Sequence, residues 1–357
     1  MAEHKFFIPD HQPNAGSLFG SSYINLASKC WKKWFNTYYR PITSSERGGE
    51  VVARGIAPIQ TSAALLSGRV FHEGLAAYYV SGCRDGEDTG EYDVERALEV
   101  AQLVHLNAKK HGEYQDDSAA EEDWLLNKNM LLGYADFFGP RAPSQDYPNI
   151  RIACDGNGQP LVEREFKMAL DYGDYVYSCK YDAIVHHRGF LKAMEHKTSA
   201  AGFVGNRIKT SQFDAQITGE CAILADQFPD DPIHGVLMNV VVKKRSVNSK
   251  FDPAERESTT RTQTQLEYFR LSTVSLLAEI DHRVGEFERE LEKGTPLELA
   301  AQVWFPDHGT RSGECMSYNY PCTFAAICQL PGRERATLTG FRPRSGVEIK
   351  EMREWNH

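Results

Sequence analysis

The chain changes its hydrophobic rhythm part-way along. Up to about residue 140, apolar residues recur three and four apart, the spacing of helices with one buried face. "SYINLASKCWKKWFNTYYR" (22–40) keeps this period and stops at Pro41, whereas residues 41–60 have none and read as a loop. "TSAALLSGRVFHEGLAAYYV" (61–80) is a strong helix, and two more follow near 93–112 and 118–138, separated by an acidic segment. After "GPRAPSQDYP" (139–148) the rhythm shortens. "LVEREFKMAL" (161–170), "YVYSCKYDAIVHH" (175–187) and "FLKAMEHK" (190–197) alternate or run apolar over strand lengths, with Gly and Asp at the breaks. "TSQFDAQITGECAILADQF" (210–228) returns to helical spacing. "HGVLMNVVVKK" (234–244) and "LEYFRLSTV" (266–274) read as strands, and "VSLLAEIDHRVGEFERELEKG" (274–294) as a long helix ended by Gly294.

Strands flanked by helices predict an α/β fold with a mixed sheet. Three regions follow: a mainly helical 1–145, a core 146–300, and a C-terminal segment 301–357. With 357 residues and 41% hydrophobic content, the chain can bury one large core or two ordinary ones. No run of about 18 apolar residues occurs, so no transmembrane helix and no membrane partner are expected. "MAEHKFFIPDHQPNAG" lacks the basic flank and apolar stretch of a secretory signal, which makes a reducing, cytoplasmic setting the expectation. A net charge of -9 leans against a protein that coats nucleic acid nonspecifically. It leaves a nuclease open, because acidic metal ligands contribute to that sum.

The most telling stretch is "YDAIVHHRGFLKAMEHK" (181–197). A tight turn at His187-Arg188 makes its two halves a hairpin in which facing residue numbers sum to about 375. Asp182 then lies across from Ala193 and diagonal to Glu195. Glu195 and Lys197 share one strand face, with His196 turned to the other. Two acids this close repel unless a cation or proton lies between them. Mg²⁺ and Mn²⁺ prefer such oxygen ligands. A surface hairpin with an ordinary ion pair gives the same spacing, so the pattern alone leaves both readings open.

Other residues bear on the choice. Gly68-Arg-Val-Phe-His72 lies on the helix before the hairpin, Glu165 on the preceding strand, and Gln216 on the following helix. In that order, with Asp182, Glu195 and Lys197, the chain resembles the PD-(D/E)XK nuclease superfamily, and within it the RecB-like and CRISPR-associated exonucleases. The resemblance implies a restriction-endonuclease-like core and a metal-dependent DNA exonuclease using Mg²⁺ or Mn²⁺. It implies His72, Asp182 and Glu195 as metal ligands, helped by the His196 carbonyl, with Lys197 acting on the attacking water and Gln216 orienting it or the phosphate. Glu220 stands where that family usually has tyrosine, a departure at a position of substrate contact. An endonuclease with the same site, or a non-catalytic DNA-binding or assembly subunit, fits the same residues.

Of eight cysteines, Cys315, Cys322 and Cys328 cluster within fourteen residues, while Cys83, Cys154, Cys179 and Cys221 are scattered and read as small buried residues. Three thiols fall one short of a four-ligand site. The iron–sulfur members of the RecB-like family place one cysteine before the core and three after it. The resemblance therefore implies a [4Fe–4S] cluster on Cys30, Cys315, Cys322 and Cys328, with structural Zn²⁺ as the rival. It also implies DNA with a free or single-stranded end as substrate, a helicase or recombination partner, and a bacterial or phage-infected host cell.

"CWKKWFNTYYR" (30–40) interleaves aromatic and basic residues and reads either as a single-strand path or as a helix with core aromatics. Lys243, Lys244 and Arg245 end a strand and, with Glu165, are candidate DNA contacts. His186 and His187 sit at the hairpin turn, exposed. "DGNG" (155–158) is a turn and not a phosphate loop.

Overall fold

The computed structural model describes residues 20–44, 50–58, 62–139, 150–170, 175–200, 203–230, 235–243, 255–307, 313, 315–317, 320–329 and 341–344. The elements run α1 (Ser21–Lys29), α2 (Trp31–Trp34), β1 (Pro41–Ser44), β2 (Glu50–Arg54), β3 (Ile56–Pro58), α3 (Ala63–Ser81), β4 (Cys83–Arg84) and β5 (Glu87–Asp88). Then come α4 (Val94–Lys110), α5 (Asp117–Phe138), β6 (Ile150–Ile152), β7 (Val162–Ala169), β8 (Val176–His187) and β9 (Phe190–Ser199). The chain continues through α6 (Val204–Ser211), α7 (Ala215–Gln227), β10 (Val236–Val242), β11 (Glu255–Thr259), α8 (Gln263–Glu292) and α9 (Leu297–Trp304). Two short strands, β12 (Met316–Ser317) and β13 (Tyr320–Pro321), helix α10 (Ala325–Gln329) and β14 (Phe341–Pro343) close the list. The fold is mixed α/β with a mixed sheet. No helix among the described residues is long and apolar enough to cross a membrane.

Two compact units emerge, each drawing on more than one of the three sequence regions. One comprises 1–59, 170–175 and 271–357, the other 60–169 and 176–270. The second holds a six-stranded sheet in the order β11-β10-β9-β8-β6, with β7 also pairing β8. β9 and β10 run parallel and the other pairs antiparallel. Every residue of β10 is buried, as its unbroken "VLMNVVV" run requires of a strand covered on both faces. Helices α3, α4 and α5 close one core against the sheet through Phe71, Leu75, Leu131, Tyr134, Met194 and Leu237. Gly74 lets these helices approach, since a Cβ there would meet Leu131 at 2.8 Å. Side-chain caps set the helix starts: Ser62, Asp93, Asp116 and Asp214 each accept backbone N–H groups of the first turn.

Several expectations need correction. The 266–274 stretch is no strand but the start of α8. Thr262 Oγ1 accepts from Gln265 N–H at 3.3 Å and Gln265 Oε1 from Thr262 N–H at 2.8 Å, a reciprocal cap that commits the chain to helix. Residues 41–60 contain β1–β3, because β1 pairs with β2 and β3 with distant β14. The 22–40 helix breaks at Cys30, which is extended at φ -159°, ψ 107°. The 210–228 helix is two helices, parted where Asp214 caps α7. Within the first unit, Trp31, Trp34 and Phe35 of the aromatic-basic run are buried, and Arg54 and Arg344 lie over Tyr39 and Tyr38, so the run is core rather than a strand path.

The hairpin turn lies one residue later than expected, at Arg188-Gly189. Both have positive φ, 53° and 84°, as a two-residue turn matched to strand twist demands. Facing numbers therefore sum to 377, as in Ala183↔Met194 and His187↔Phe190. The two-residue shift keeps every side chain on its expected face and brings Asp182 level with Glu195 instead of Ala193. His187 is buried and lies 3.4 Å from Lys192 Nζ, whereas His186 is exposed as expected. Cys179 and Cys221 are buried, but Cys83 and Cys154 are only half-buried.

Candidate active site

Strands β8 and β9 stay paired from His187↔Phe190 to Ala183↔Met194 and then part. Beyond that point β9 pairs with β10 and β8 with β7. The acids stand where the strands separate. There Asp182 Oδ2 accepts the His196 backbone N–H at 2.6 Å. A side chain thus takes the place of a ladder bond at the fork.

Helix α3 brings His72 to the same point, its Nδ1 3.4 Å from Asp182 Oδ1. Glu163 joins them from β7. One ligand atom each from His72, Glu163 and Asp182 lie within 4.8 Å of one another. Glu163 has φ 53°, a left-handed backbone that is sterically costly for a residue with a Cβ. Its neighbours Val162 and Arg164 remain in register with Ala183 and Tyr181, so residue 163 alone departs from strand geometry. Glu165 is the β7 glutamate that the resemblance picks out, as a candidate substrate contact. That residue pairs in register with Lys180 and is not in this three-residue group. The signal missed is a local backbone departure, which no hydrophobic period reports.

Glu195 faces the fork from the other strand. Its Oε1 is contacted by the Lys197 ammonium and accepts from Gln216 Nε2 at 2.8 Å. The Glu195 side chain is 4% exposed and that of Lys197 29%, so the acid is closed in while the lysine side chain is partly open to solvent. Gln216 Nε2 also lies 2.9 Å from Glu220 Oε1. The buried Glu220 Oε2 has no partner among the described residues.

The charges strain against one another as the packing dictates. Burial raises Asp182, but the neighbouring His72, then His196 and Lys197, take its carboxyl well below the carboxylate range. Burial lowers His72, yet the Asp182 charge and hydrogen bond more than offset it, so the imidazole holds its proton more tightly than usual. Burial and the Asp182 charge push Glu195 up against the opposing pull of Lys197. Burial and the charge on Glu195 hold Glu220 protonated well above the usual range. Three acids, Glu163, Asp182 and Glu195, around one lysine and one histidine form a donor set with excess negative charge, which suits an oxygen-preferring divalent cation.

Behind this front, His196 is locked. Its ring stacks on Tyr79 at 5.8 Å, and its Nδ1 lies 2.6 Å from Asn239 Nδ2. Asn239 donates to Tyr134, whose hydroxyl is 2.6 Å from that of Tyr79. This buried network fixes the backbone between Glu195 and Lys197. Lys243, at the end of β10, donates to the Ala64 carbonyl at 3.1 Å. Lys244 and Arg245 lie outside the described residues.

The first unit carries Cys30, Cys315, Cys322 and Cys328. Cys30 interrupts the helix between α1 and α2, and its sulphur accepts the Lys33 N–H at 3.5 Å. Asp307 Oδ1 stands 3.7 Å from the Cys30 sulphur and 3.9 Å from that of Cys315. The Cys322 N–H donates to the Cys315 carbonyl at 2.9 Å, and Cys322 and Cys328 pack against Ile42, Ile56, Phe324 and Phe341. Burial, Asp307 and the neighbouring Cys322 and Cys30 push the Cys328 thiol up to about 12. Burial, Asp307, Cys30 and Cys322 raise Cys315 likewise. Cys30 and Cys315, from opposite ends of the chain, thus share one carboxylate. A scan against protein-family models finds no match for this chain, and a search of curated proteins finds none either.

Proposed function

We propose that the chain is a metal-dependent DNA exonuclease with a restriction-endonuclease-like, PD-(D/E)XK core. The observation that carries this reading is the meeting of His72, Glu163 and Asp182 beside the Glu195–Lys197–Gln216 chain at the strand fork. The donor set fits Mg²⁺ or Mn²⁺, held by His72, Glu163 and Asp182 with Glu195 adjoining. A divalent ion there supplies charge neutralisation to the scissile phosphate and acidifies water. Lys197 holds the attacking water or a phosphate oxygen through an ammonium that Glu195 keeps charged and aimed. Gln216 fixes the Glu195 carboxylate. Water adds in line to phosphorus, the bond to the leaving sugar oxygen breaks, and solvent returns a proton to that oxygen.

Within the same proposal, Cys30, Cys315, Cys322 and Cys328 hold a [4Fe–4S] cluster, with Zn²⁺ as the second reading. Thiols give up their protons when they bind a positive centre. DNA with a free or single-stranded end is the substrate, and any unwinding comes from a helicase or recombination partner.

An end-labelled oligonucleotide incubated with Mg²⁺ or Mn²⁺ tests the activity, and a closed single-stranded circle separates exonuclease from endonuclease. Lys197→Ala is expected to abolish cleavage while leaving the fold intact. Unchanged cleavage in that variant removes the assignment.

A further inference from the structure

Helix α6 and the turn after it expose two phenylalanines. Phe213 is 86% exposed and Phe203 58%, and neither touches another ring among the described residues. Between them Val204, Ile208 and Ser211 are buried, the first two against Val240 and Val242. The remaining face presents Asn206, Arg207, Lys209 and Thr210. Arg207 and Lys209 form no ion pair among the described residues, and no acid lies between the two rings.

The turn is braced. Arg261 donates to the Ser211 carbonyl at 2.6 Å, the Asp214 carbonyl at 3.4 Å and Thr218 Oγ1 at 2.8 Å. A guanidinium therefore holds the backbone on both sides of Phe213, whose ring contributes nothing to the core. The surface adjoins the site. Val240, beneath α6, is in register with Lys197, and Phe213 precedes Gln216 by three residues, at most about 11 Å of chain.

We propose that Phe203, Arg207, Lys209 and Phe213 form a stacking and phosphate-tracking surface that leads single-stranded DNA to the site, an inference that rests on the nuclease reading. Bases stack on exposed rings, and unpaired cations follow the backbone. A duplex keeps its base faces covered and gains only the charge contacts. The combination that the 30–40 run presents in sequence is thus realised in space at 203–213.

The test is fluorescence anisotropy of labelled oligo-dT in EDTA, where metal-dependent cleavage cannot proceed, across a salt series. Phe203→Ala with Phe213→Ala is expected to weaken binding roughly fivefold or more. Phe213→Tyr retains wild-type affinity, because the ring remains. Arg207→Ala with Lys209→Ala is expected to flatten the salt slope by about 1.4, near 0.7 per lost contact on a single strand. These side chains are exposed, so circular dichroism should match wild type. Wild-type binding in both double variants, or a duplex competing as well as the single strand, overturns this surface while cleavage by the unaltered protein upholds the site. A protein that neither binds nor cleaves DNA overturns the nuclease reading and this surface together.

Discussion

One amide nitrogen of Gln216 serves two carboxyls, lying 2.8 Å from Glu195 and 2.9 Å from Glu220. Two ionised acids so placed would repel, and burial with the Glu195 charge keeps the proton on Glu220. Glu220→Gln should therefore fold and cleave much as wild type does. Glu220→Ala removes one of the two acceptors of a half-buried amide and leaves a cavity, costing about 1–3 kcal/mol in urea unfolding. Equal losses in both variants would show that the Glu220 charge matters.

Glu163 rather than Glu165 is expected to bind the cation. Calorimetric titration with Mn²⁺ should show Glu163→Gln weakened by on the order of tenfold or more, and Glu165→Gln close to wild type. The reverse order would give the ligand role to Glu165 instead of Glu163.

A second buried network links His105 Nδ1 to Tyr114 at 2.7 Å and Tyr114 to Asp123 at 2.9 Å. Burial lowers His105 despite the pull of Asp123. The unfolded chain then binds this proton first as pH falls through the ordinary imidazole value, about 6.5, and stability drops. Urea unfolding on either side of that pH should show a smaller loss in His105→Gln than in wild type. His72 is shifted the opposite way, so the difference between the two proteins is the quantity to read.

The Arg188-Gly189 turn places an arginine at φ 53°. Asparagine adopts that region more easily, so Arg188→Asn should raise stability by a few tenths to about 1 kcal/mol. A fall in the melting temperature would show that the arginine side chain contributes more than its backbone costs.

The proposed cluster predicts that replacing Cys30 or Cys328 with Ser lowers metal content and thermal stability. Protein purified without oxygen should be brown for iron–sulfur and colourless with stoichiometric zinc for the rival. Full metal content in Cys30→Ser would exclude it as a ligand.

What the sequence made legible was local. The α3 period, the β8–β9 alternation and the Asp182, Glu195, Lys197 trio need only neighbouring residues to be read. The hairpin survived a misplaced turn because a two-residue register shift preserves faces. What escaped was either unread or non-local. Thr262-Gln-Thr-Gln265 is an ordinary capping signal, and weighing it would have removed the false strand at 266–274. No sequence period could announce that β3 pairs with Phe341–Pro343, or that His196 is held by Asn239, Tyr134 and Tyr79. The buried fate of Trp31 and Trp34 depended on partners such as Phe305, far along the chain.

The twisted backbone at residue 163 has a bearing on descent. A glycine would sit there without steric penalty, and the strand around it would be steadier for the change. On the proposed reading, the carboxylate is what is kept at that cost. Copies of this gene relieved of their chemistry should therefore drift first at that codon, trading glutamate for glycine while His196 and its tyrosines, which serve the fold, stay put.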